Sequence, residues 1–144
     1  MKRPLRASAL AAISVLALLA FAGGAAAQEL NLLLVTIDTL RPDRLSCYDP
    51  RHVQTPRIDG LAARGVLFER AFAHDPETHP SHTNIHLGLL PLAHGVSENS
   101  KSIVAKEFLT LAEHLKSHGY ATGAFVSAFP LDSRFGLNQG FDVY

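Results

Sequence analysis

The chain has 144 residues, 13 basic and 13 acidic side chains, a formal net charge of zero and a hydrophobic fraction of 47%. The charge balance excludes the basic excess with which a nucleic-acid binder meets phosphates, and the apolar fraction excludes a highly charged, disordered chain. A single cysteine, Cys47, excludes an internal disulfide, so any core must hold without one.

Lys2, Arg3 and Arg6 precede an apolar run from Ala7 to Phe21 and then the small residues Gly23 to Ala27. This order, with Ala25 and Ala27 in an Ala-x-Ala pattern, predicts a signal peptide over residues 1–27 and Gln28 as the mature N-terminus. A periplasmic or secreted location is therefore expected. The run is short and alanine-rich for a span of ~20 residues, so no stable membrane span is expected after cleavage.

The mature part, residues 28–144, reads as alternating strands and helices. Asn31 to Ile37 is continuously apolar, the pattern of a parallel strand covered on both faces. It ends at Asp38, which sets a carboxylate at a strand's carboxyl end, the edge where open α/β sheets bind ligands. Thr39 to Arg51, polar and with Pro42 and Pro50, reads as loop with room for one helical turn. Thr55 and Pro56 predict a helix start and Gly65 its stop, with Ile58, Leu61 and Ala62 on one face. Val66 to Ala73 reads as a second strand. A short helix is expected from Thr78 or Pro80 to Gly88. Thr110 and Glu113 predict a capping box opening a further helix that Gly119 ends. Tyr120 to Val126 reads as a third strand and Ser127 to Tyr144 as loop. The expected fold is α/β, a mostly parallel sheet with flanking helices. Three strands do not complete a doubly wound sheet, so residues 28–144 are expected to be the N-terminal part of a larger domain.

Two features carry chemistry. A hydroxyl at a helix N-terminus, Thr78, sits where backbone amides and the helix dipole favour an anion, and could serve as a nucleophile if a metal lowers its pKa. Asp38 could hold that metal. Spacing alone leaves Thr78 equally readable as an ordinary helix cap and Asp38 as a solvated carboxylate. Five histidines, His74, His79, His82, His86 and His94, crowd one stretch. His82 and His86 are four apart and would share a helix face able to seat a zinc, although they lack the intervening glutamate of a zinc-protease motif.

Several blocks, in order, resemble the sulfatase-like hydrolases of the alkaline phosphatase superfamily: Leu32 to Tyr48, Thr55 to Ala73, Thr78 to Val96, Thr110 to Gly119 and Asp132 to Tyr144. The resemblance implies an alkaline phosphatase-like fold and a metal-dependent hydrolase of sulfate or phosphate esters, acting on a small-molecule or glycan ester. The implied cofactor is a divalent ion such as Ca, Zn, Mg or Mn. It implies Asp38 and Thr78 as metal ligands, Thr78 and His82 as catalytic residues, and Ser81 and His94 near the substrate. Thr78 stands where sulfatases carry the Cys or Ser converted to formylglycine; Pro80 and Ser81 match that motif, and His82 falls where its Arg would be. Threonine is not a formylglycine precursor, and Asp38 is followed by Thr39 rather than the usual second aspartate. Two other readings stay open: a phosphodiesterase or phosphotransferase using Thr78 directly, and a secreted histidine-rich metal-binding module without enzymatic activity. The family's further metal ligands are not expected within these residues, so the chain alone is expected to be inactive.

Overall fold

The computed structural model describes residues 30–144; the expected signal peptide lies outside the described residues. The chain divides into two compact units, Met1–Thr36 and Ile37–Tyr144, and the helices of the described residues all belong to the second.

Four helices form where capping and turn residues place them. They are α1 (Pro56–Arg64), α2 (Thr78–Leu87), α3 (Pro91–His94) and α4 (Leu111–Ser117). Single 3-10 turns occur at Pro42–Arg44, Phe129–Leu131 and Ser133–Phe135. Helix α1 begins with proline at its first position, where a missing N–H costs nothing. Thr55 does not cap it. Its hydroxyl instead donates to Asp59 at 3.0 Å and accepts from the Ser46 amide at 2.9 Å, and Ser46 Oγ donates to the other Asp59 oxygen at 2.5 Å. This knot ties α1 to the preceding loop. Helix α4 opens on the expected capping box: the Glu113 amide donates to Thr110 Oγ1 at 3.1 Å and the Thr110 amide to Glu113 Oε2 at 2.9 Å. Helix α2 ends at Gly88 in the left-handed conformation, φ 65°, which glycine adopts without strain.

The expected parallel sheet is not there. None of the runs 31–37, 66–73 and 120–126 forms a strand, and the only β pairing among the described residues is an isolated parallel bridge between Gly123 and Val143. The α/β expectation is thereby overturned: the described residues are helices joined by irregular segments. An apolar run specifies a preference for burial. A strand also requires a neighbour to complete its N–H and C=O ladder, and these runs find none beyond the short contact of Thr122 and Ala124 with Asp142 and Val143. They stay uncovered, with Val66 79%, Phe68 68%, Phe72 81% and Phe125 95% exposed.

The core is small. Val96, Val104, Leu131 and Leu137 cluster together, with Leu87 and Ala128 packed against them. Helix α2 packs on the 3-10 turn Phe129–Leu131 and on α4, turning His79, Pro80, His82 and Thr83 inward. Thr83 is satisfied by donating to the His79 carbonyl at 2.8 Å. The core thus fixes the N-terminal half of α2. No helix among the described residues is long and apolar enough to cross a membrane.

Candidate active site

Helix α2 carries Thr78 as its first residue, with Glu77 as the N-cap. Thr78 is not the cap. Its hydroxyl leaves the helix and donates to Asp38 Oδ2 at 3.1 Å, across 40 positions of sequence. Asp38 sits in a turn whose next residue, Thr39, has φ +53°, a left-handed conformation unusual for a β-branched residue. That turn brings the Thr39 amide to Asp38 Oδ1 at 3.1 Å. One carboxylate oxygen is therefore held by its own turn and the other receives the Thr78 hydroxyl. Hydroxyl, carboxylate and orienting amide stand in the order that an activated nucleophile requires.

The other candidate residues are placed differently. His82 is buried one turn along α2, and its Nδ1 lies 2.8 Å from the Thr78 carbonyl. A carbonyl only accepts, so Nδ1 carries the proton in that bond. Ser81 is half-buried, and its amide closes the first helical bond to the Glu77 carbonyl at 3.0 Å. His94 is buried at the end of α3. Its Nδ1 accepts from the Val96 amide at 3.1 Å and its Nε2 lies 2.7 Å from Asn84 Oδ1. With Nδ1 accepting, the neutral ring has its proton on Nε2, which donates to Asn84. Turned over, the Asn84 amide would reach the Pro80 and Leu89 carbonyls at 3.1 Å, but would set an N–H against the His94 Nε2–H; the Val96 bond decides for the first orientation. Burial pushes the His94 pKa down, although Asp75 nearby favours its charged form. His94 is thus bonded to the middle of α2, while Asp38 and Thr78 meet at its start.

His79 is the most buried of the histidines. Its ring is 0% exposed, neither ring nitrogen has a hydrogen-bond partner, and it packs 5.5 Å from the Phe135 ring. Burial holds its pKa below the ordinary value. His86 Nδ1 is likewise buried without a partner, and its ring meets Phe141 edge-on at 5.8 Å.

A divalent cation takes four or more donors. Asp38 and Thr78 offer one carboxylate and one hydroxyl, and no group of three or more His, Cys, Asp or Glu residues able to hold a metal occurs among the described residues. The donors present do not make a metal site by themselves, and the His82–His86 pair does not make one either.

Sequence reasoning did not single out Glu77 or Asn99. Asn99 Oδ1 accepts from the His79 amide at 2.8 Å, and the Asn99 amide donates to Glu77 Oε2 at 2.5 Å. An acidic residue just before a helix is a readable signal. An asparagine reaching back over 20 positions leaves none.

The sulfatase family profile matches residues 30–144. The chain belongs to the sulfatase family. Over 104 residues it is 36% identical to an N-acetylgalactosamine-6-O-sulfatase of Bacteroides thetaiotaomicron, covering 69% of this chain and 20% of the relative. It is 34% identical to iduronate 2-sulfatase of Mus musculus, covering 69% of this chain and 18% of that enzyme. It is 34% identical to human arylsulfatase A, covering 74% and 22%. No solved structure matches the chain at a significant level. The chain spans about a fifth of the length of these curated relatives. Members of the sulfatase family typically bind a divalent metal.

Proposed function

We propose that these residues form the nucleophile-bearing part of an extracytoplasmic ester hydrolase, with Thr78 as the attacking group. The observation that carries this is the 3.1 Å hydrogen bond from Thr78 Oγ1 to Asp38. The hydroxyl's proton passes to Asp38 as Thr78 Oγ bonds to the sulfur or phosphorus of the ester, and the bond to the alcohol oxygen breaks. The proton on Asp38 is then available to the leaving alcohol. Attack by water on the Thr78 ester restores the hydroxyl. His82 orients the Thr78 main chain through its bond to the carbonyl. Ser81 and His94 are assigned to the substrate side. Asp38 and Thr78 are this chain's contribution to the family's cation site, and no step above is routed through that ion.

Names among the relatives, N-acetylgalactosamine-6-O-sulfatase and iduronate 2-sulfatase, support a sulfated sugar as the substrate. The identity of residue 78 favours a second reading, a phosphodiesterase or phosphotransferase, because a threonine hydroxyl attacks without the conversion to formylglycine open to Cys or Ser. The leader-like residues 1–27 support a periplasmic or secreted location.

The test is turnover of para-nitrophenyl sulfate and of bis(para-nitrophenyl) phosphate by the complete protein and its Thr78→Ala and Thr78→Ser variants. Activity lost in Thr78→Ala and retained in Thr78→Ser is expected. An active Thr78→Ala would end the proposal, and preference for one of the two esters decides between sulfur and phosphorus.

A further inference from the structure

We infer that Asn99 is a positioning residue, which ties down the first turn of α2 from outside the helix and so holds the Thr78 hydroxyl on Asp38. The inference rests on the reading of Thr78 as the reacting group. The first amides of a helix have no intrahelical partner. In α2 the common remedy is missing, because Glu77 makes no side-chain cap bond and Pro80 has no N–H to satisfy. The His79 amide goes instead to Asn99 Oδ1 at 2.8 Å. The Asn99 amide in turn donates to Glu77 Oε2 at 2.5 Å, and the Glu77 amide donates to Asp75 Oδ1 at 2.8 Å. The residues on either side of Thr78 are therefore both bonded to Asn99.

The chain leaves Asn99 through Ser100 at φ +60°, a conformation that serine adopts rarely. With Thr39, Ser100 is one of two non-glycine residues at positive φ among those described. One follows Asp38 and the other follows Asn99, so each partner of the Thr78 segment is presented by a strained turn. Such strain collects where geometry must be held.

The position requires an accepting side-chain oxygen of this reach. Its side chain must accept from the His79 amide beside the Glu77 carboxylate. Aspartate keeps the accepting oxygen but adds a second negative charge next to Glu77. Leucine matches the size and accepts nothing.

The experiment compares the complete protein with Asn99→Leu, Asn99→Asp and Thr78→Ala. It follows steady-state kinetics on para-nitrophenyl sulfate and bis(para-nitrophenyl) phosphate, and deuterium exchange over residues 75–83. Asn99→Leu is expected to speed exchange at the His79 amide and to lower kcat roughly 100-fold with KM near the parent value, the scale expected when a reacting group is misplaced by about 1 Å. Asn99→Asp is expected to recover most of kcat, which a general loss of structure would not allow. If Asn99→Leu does not fold, Asn99→Ser, whose hydroxyl is too short to reach, takes its place. Parent-like exchange at His79 would overturn the inference, as would parent-like kcat in Asn99→Leu while Thr78→Ala is inactive. An active Thr78→Ala sinks the reading of Thr78 itself, and exchange at His79 then decides whether Asn99 holds the turn.

Discussion

The Thr78 hydroxyl donates to Asp38 Oδ2 at 3.1 Å while the other Asp38 oxygen is held by the Thr39 amide. The pair is solvent-exposed on the Asp38 side, so its hydrogen bond adds little to stability. Asp38→Ala is expected to change the folding free energy by less than ~1 kcal/mol while lowering ester turnover by roughly 100-fold or more. Thermal melts and initial rates on the same preparations check this. A large loss of stability with unchanged turnover would make Asp38 a structural residue.

Gly140 lies against the start of α4. It has φ +84°, and a Cβ there would stand 2.3 Å from the Glu113 amide nitrogen, the donor of the Thr110 capping box. Gly140→Ala must therefore both strain its own backbone and displace the cap, and is expected to cost more than ~2 kcal/mol. Gly88 also has positive φ, but a Cβ there meets nothing within 4 Å, so Gly88→Ala is expected to cost only about 1 kcal/mol. Urea midpoints of the two variants give the comparison, and equal losses would contradict it.

Acid should loosen the packing of α2. Burial lowers the pKa of His86 and His94 from the ordinary value of 6.5. For a histidine depressed in the folded state, the stabilisation is complete above pH 6.5 and is lost as pH falls toward the lower folded value, because the unfolded chain takes up protons first. Asp142, held down to about 2 by Lys116 and the Thr122 contacts, acts only in stronger acid and does not enter this window. Urea midpoints at about pH 7.5 and about pH 5.5 should differ, with the lower value in acid. His86→Phe should flatten the dependence, and a profile unchanged by that substitution would contradict the assignment.

Val66, Phe68, Phe72 and Phe125 are among the most exposed large apolar side chains, and monomeric soluble proteins seldom leave such segments open. The 144-residue chain on its own is expected to bind a hydrophobic dye such as ANS and to self-associate at micromolar concentration. Light scattering that reports a clean monomer, without dye enhancement, would refute this.

The sequence by itself determined the family and three of the four helices among the described residues; the short helix Pro91–His94 was not read from it. Pro56, Gly65, the Thr110–Glu113 box and Gly88 mark local events, since a cap or a left-handed residue acts within one turn, and the observed boundaries follow them. The ordered blocks from Leu32 to Tyr144 likewise sufficed to point to sulfatases, which the match over residues 30–144 bears out. The runs 31–37, 66–73 and 120–126 read as strands and are not, because periodicity reports a side-chain preference for burial, while a strand exists only when a second segment completes its hydrogen bonds. The meeting of Thr78 with Asp38, the left-handed turns at Thr39 and Ser100, and the Asn99 bonds to Glu77 and His79 were decided by tertiary structure alone. Each joins atoms from separate segments or fixes a backbone angle that the residue type disfavours, and no local pattern encodes either.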